Sequence, residues 1–134
     1  KPHQIGERIN ENNTQLNITG GYDHAFALNH TGDLSHPAAI LYDAPSGRAL
    51  TVYTTEPAIQ IYTGNGLKGN QVGKKSVVYK RRCAICLETL HFADSPNHPE
   101  FPSTLLLPGQ TYHSRTVFVF STDPPLIMKS EKKN

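Results

Sequence analysis

Apolar positions recur along this chain with period two or in short unbroken runs, and no segment sustains the 3.6-residue period of an amphipathic helix. Residues 22–28 (YDHAFAL) alternate as a strand. Residues 38–42 and 49–55 predict two more, joined by DAPSGR, where Pro45 and Gly47 supply turn chemistry. Residues 58–62 are short and apolar, 63–76 form a Gly-rich loop, and 77–79 suit an edge strand. Residues 83–92 predict a central strand, followed by a Pro-rich loop over 93–102. A short strand is expected at 104–107, a turn at Pro108-Gly109, and a strand at 112–120, which is rich in β-branched and aromatic residues. The polar residues 1–19 read as an entry loop with one short turn, and the end of the chain as frayed. About eight short strands with turns between them predict an all-β fold, an antiparallel β-sandwich. It is expected as one domain over residues 1–128, with a disordered tail at 129–134.

One carboxylate interrupts the apolar run of the central strand. Alternation puts Ala84, Cys86, Glu88 and Leu90 on one face and Cys83, Ile85, Leu87 and Thr89 on the other. Both sets are mostly apolar, as in a strand covered on both sides. A carboxylate there costs several kcal/mol unless it is paired or hydrogen-bonded. Desolvation would also raise its pKa and make it a better proton acceptor. Glu88 is therefore expected either as a functional base or as half of a buried ion pair, with Arg48, Arg81 or Arg82 as the cation.

Composition narrows the class. The chain has 134 residues, 37% hydrophobic and 18% charged, which fits a globular domain rather than a disordered segment. A formal net charge of +2 is too mild to point to nucleic acid. No apolar run approaches ~18 residues, so no membrane association is expected. The start is Lys1, the single methionine is Met128, and no signal-like segment is present, so the chain is expected to be a piece of a longer protein. The expected compartment is the cytoplasm, with secretion as the alternative. In the second case the sequons at Asn12, Asn17 and Asn29 would matter.

Several motifs invite a functional reading that their context does not support. Cys83-Ala84-Ile85-Cys86 is a C-x-x-C, but in a strand the two side chains point to opposite faces, with Cα atoms about 10 Å apart, beyond disulfide reach. His91 and His98 do not complete a zinc-finger spacing, and the cysteines are expected as buried, reduced thiols. Gly64, Gly66 and Gly69 spell G-x-G-x-x-G, yet no helix follows and no βαβ frame is present; these glycines are expected to serve turns or close backbone approach. Among seven histidines, His24 falls in a strand, His91 at the end of the central strand and His98 in the loop NHPEFP, but no serine sits on an elbow-like turn to build a triad. No metal and no cofactor is expected.

Four stretches together resemble the C-terminal part of the aldose 1-epimerase (galactose mutarotase) family: GGYDHAFALN at 20–29, SGRALTVYTTEPAIQIYTGN at 46–65, CLETLHFADSPNHPEFPS at 86–103 and LLLPGQTYHSRTVFVFS at 105–121. The resemblance covers nearly the whole chain but under half of a usual family member. It implies a large antiparallel β-sandwich and interconversion of the α and β anomers of free aldohexoses, without metal or cofactor. It implies a base in the CLE motif, matched by Glu88, and sugar-hydroxyl ligands in the YDH and EPxxQ motifs, matched by Asp23 and Gln60. The residues agree, since a carboxylate accepts while an amide donates and accepts, which suits vicinal hydroxyls; a strand-end cap for Asp23 and a solvated strand face for Gln60 are the bland alternatives. The family's acid histidine belongs to a part that this chain does not match. Ala58, Ala84 and Leu90 stand where the family usually has glycine, glycine and glutamine. The alternative to an active isomerase is a catalytically impaired module that binds carbohydrate or oligomerises. Expected partners are a monosaccharide and either a second copy or a complementary N-terminal chain.

Overall fold

The computed structural model describes residues 2–122. Two short helices, α1 (Ile5–Arg8) and α2 (Thr14–Thr19), precede six strands: β1 (Asp23–Ala27), β2 (Ala39–Asp43), β3 (Arg48–Thr54), β4 (Ala58–Tyr62), β5 (Cys86–Leu90) and β6 (Thr116–Ser121). They form two three-stranded sheets, ordered β1-β4-β5 and β2-β3-β6. The chain is thus all-β in class, mostly antiparallel, with little helix. It divides into two compact units, one of Lys1–Phe26 with Gln60–Glu88, the other of Ala27–Ile59 with Thr89–Asn134.

The first unit carries most of the β1-β4-β5 sheet and the two helices. Residues 1–19, expected as a loop, are helical in part because the local signals suffice for short helices. Asn13 caps α2 by accepting from the Gln15 N–H at 2.9 Å. Leu16 is the buried residue of that helix. Gly20 ends it in the left-handed region at φ 68°, its N–H returning to the Leu16 carbonyl. Arg82 then donates to the Gly20 carbonyl (2.8 Å) and to Asn10 Oδ1 (2.8 Å), which ties the helical segment to the turn before β5.

The second unit is built on β2-β3-β6. β2 runs antiparallel to β3 with Leu41 opposite Leu50, and β6 antiparallel to β3 with Val52 opposite Phe118. β3 lies in the middle, so two of its inward residues are almost fully enclosed: Val52 is 0% and Thr54 1% exposed. The Thr116 hydroxyl lies 3.0 Å from that of Thr54 and 2.8 Å from that of Thr89, so a polar ladder replaces methyl packing at this end of the unit.

Boundaries differ from expectation where turns use up backbone groups. Residues 104–107 form no strand, because Leu107 and Gln110 close a turn on each other (2.8 and 3.0 Å) around Pro108-Gly109. The strand expected at 112–120 begins only at Thr116. The edge strand expected at 77–79 is reduced to a single bridge, Val72 to Val78. The central strand is shorter than 83–92, since Arg81 and Arg82 sit in a turn, with Arg82 at φ 62°. Cys83 is therefore exposed, as is Cys86, and both thiols are free rather than buried. The tail at 129–134 lies outside the described residues.

Candidate functional site

In the first unit, two of the sequence's motif blocks, at 20–29 and 46–65, are clamped together. The Tyr22 carbonyl accepts from the Thr63 N–H (3.0 Å) and from Asn65 Nδ2 (2.8 Å), and the Thr63 hydroxyl donates to Asn65 Oδ1 (2.8 Å). The approach is so close that a Cβ on Gly21, at φ 148°, would stand 2.3 Å from Asn65 Oδ1. Only glycine fits there. The clamp fixes the start of β1 beside the end of β4.

The consequence is a direct pair between two of the expected site residues. Gln60 Nε2 on β4 donates to Asp23 Oδ1 on β1 at 2.6 Å, and both side chains are half-buried. One carboxylate oxygen of Asp23 and the amide oxygen of Gln60 keep acceptor capacity. Glu88 sits in the middle of β5, the strand next to β4 in the same sheet. Its side chain is exposed and makes no hydrogen bond or ion pair among the described residues. The expected dry strand face is therefore corrected: Cys86 and Glu88 are exposed, while Leu87, Thr89 and Leu90 are half-buried. The expected ion pair is also absent. Arg81 and Arg82 are committed to the Gly20 carbonyl and Arg48 to Ser46 Oγ.

The histidines divide by surroundings. His24 accepts the Asp23 N–H at Nδ1 (3.1 Å), while its Nε2 is buried without a partner. His98 is held between Asp94 and Glu100 and stacks on Phe101. His91, in the second unit, donates from Nδ1 to Glu56 Oε2 at 2.7 Å.

That last contact belongs to a cluster the sequence reading missed. Glu56 is 4% exposed, and its carboxylate also accepts from the Tyr112 hydroxyl. Burial pushes its pKa up, but hydrogen bonds from Ser114, Tyr112 and His91 outweigh that and leave it below the usual carboxylate value. The Tyr112 hydroxyl is pushed up, chiefly because it donates to Glu56. The only hint in the sequence is a Glu-Pro dipeptide between two apolar strands. The histidine, serine and tyrosine that satisfy the carboxylate lie more than thirty residues away.

The aldose 1-epimerase family pattern matches residues 1–119. The chain is 42% identical over 121 residues to the galactose mutarotase of Homo sapiens and 40% identical over the same length to that of Mus musculus; each alignment covers 90% of this chain and 34% of the relative. It is 42% identical over 102 residues to the aldose 1-epimerase of Escherichia coli (strain K12), covering 75% of this chain and 29% of that protein. A crystal structure of a GalM/aldose epimerase homologue from C. elegans, a β-sandwich, superposes with a TM-score of 0.68 at 26% identity, over 77% of this chain and 30% of that one. The chain spans about a third of the length of the mammalian relatives it matches. With nearly the whole of the described chain inside that match, the chain belongs to the aldose 1-epimerase family.

Proposed function

We propose that the protein carrying this chain interconverts the α and β anomers of free aldohexoses such as galactose and glucose, as part of a single sandwich domain. The observation that carries the reading is the Asp23–Gln60 pair at 2.6 Å on neighbouring strands, with an unpaired carboxylate, Glu88, on the next strand of the same sheet. Asp23 and Gln60 hold sugar hydroxyls through their free acceptors and the amide donor. Glu88 takes the proton from the anomeric hydroxyl. As that O–H bond breaks, the anomeric oxygen becomes a carbonyl, the bond from the anomeric carbon to the ring oxygen breaks, and the ring oxygen takes a proton from an acid. Rotation about the bond to the carbonyl carbon and reclosure on the other face return both protons. Proton transfers alone balance this sequence, so it requires no metal or redox cofactor.

Polarimetry of freshly dissolved α-galactose tests this. The protein should accelerate the change in rotation, and Glu88→Gln should lower the rate by about 10²–10⁴-fold. Asp23→Ala and Gln60→Ala should raise KM. An unchanged rate in Glu88→Gln would remove Glu88 as the base. Saturable galactose binding without acceleration would favour the alternative, a carbohydrate-binding module.

We infer in addition that the apolar surface of the second unit takes a second copy of the chain or a complementary N-terminal chain. Phe118, Val119 and Phe120 on β6 and Leu105–Leu107 in the preceding loop are all exposed, Phe120 at 77% and Leu105 at 72%. A run of this kind is uncommon on a surface that meets only water.

A further inference from the structure

Within the second unit, the turn at residues 29–37 (NHTGDLSHP) gathers His30, Asp33 and His36, spaced three residues apart. One ligand atom of each lies within 4.8 Å of the other two. We propose that these three side chains bind a borderline divalent cation such as Zn²⁺, with water completing the coordination.

The local backbone sets up the cluster. Gly32 at φ 78° reverses the chain between the first two ligands. Ser35 holds Asp33 Oδ1 with both its N–H (2.7 Å) and its hydroxyl (2.6 Å), which fixes the carboxylate and turns Oδ2 toward His36. His36 Nδ1 stands 2.6 Å from that oxygen, and the two imidazoles stack with centroids 4.2 Å apart. A cation between His36 and Asp33 would take the place of that hydrogen bond.

The distances suit one ion. Zinc lies about 2.0–2.2 Å from imidazole nitrogen and carboxylate oxygen, so in a tetrahedral site the ligand atoms stand roughly 3.3–3.6 Å apart. The Asp33–His36 contact of 2.6 Å must open, and separations of up to 4.8 Å must close, by about 1–1.5 Å, through rotation of side chains that lie at the surface. Two nitrogens and one oxygen favour zinc, nickel or copper over magnesium or calcium. The cluster uses none of Asp23, Gln60 and Glu88, and it does not depend on the isomerase reading.

Calorimetric titration of the whole chain with ZnCl₂, in a Cys83→Ser/Cys86→Ser background that removes the exposed thiols as competitors, provides the test. One saturable site is expected, with imidazole NMR shifts at His30 and His36. His30→Ala and His36→Ala should each weaken binding about tenfold or more, while His98→Ala should leave it unchanged. Circular dichroism checks that the exposed substitutions keep the fold. No saturable binding, affinity in His30→Ala and His36→Ala equal to the parent's, or shifts confined to other histidines would overturn the proposal.

Discussion

Glu56 shows at the level of one residue how a polar group is made tolerable inside an apolar unit. Its carboxylate is enclosed, but His91, Tyr112 and Ser114 donate to it, so the charge is carried by hydrogen bonds rather than by a single counter-ion. Glu56→Ala leaves those donors without their acceptor and should destabilise the fold by about 1–3 kcal/mol, measured by chemical denaturation near neutral pH. The sign of the pH effect follows from the lowered pKa. The stabilisation is fully present above the unfolded carboxylate's pKa, about 4.3, and is lost as pH falls through the lower folded value. The gap between the wild type and Glu56→Gln should therefore narrow below about pH 4. A gap that stays constant down to the acid transition would refute this account. Nothing local in the sequence marks Glu56, because its partners are remote in the chain. Asp23 and Gln60 stand in motif blocks that single them out, and the structure adds their mutual contact.

At the level of elements, β1 to β4 were legible to within a residue or two, because turn residues punctuate the chain on both sides of each. The longer segments at 83–92 and 112–120 were not. Their apolar content predicted strand throughout, whereas backbone groups at their starts are already paired elsewhere: the Cys83 N–H with the Lys80 carbonyl, and the Arg115 N–H with the Thr55 hydroxyl. The clamp between Tyr22 and Asn65 is the element-scale feature on which the Asp23–Gln60 pair depends. Gly21→Ala places a methyl against Asn65 at a backbone angle that side chains avoid, and it should cost at least about 1 kcal/mol. Thermal unfolding measures the loss. An unchanged midpoint would mean that the clamp yields freely.

At the scale of the whole molecule, association is the expectation with the most direct readout. Sedimentation of the chain alone should show mass above the monomer. Phe120→Glu should shift it toward monomer with little loss of fold, since that side chain is already largely exposed. A monodisperse monomer for the parent chain would contradict the inferred pairing.

The sequence by itself determined the strand-rich class, the places where the chain turns and, through its motif blocks, the family. These depend on period, turn chemistry and residue type, which are local or nearly so. Tertiary structure alone decided that Glu88 lies open on its strand, that the cysteines are exposed, that Asp23 is tied to Gln60, and that Glu56, His91 and Tyr112 converge. Burial and pairing depend on which distant segments pack against a residue, and apolar content along a single strand does not carry that information.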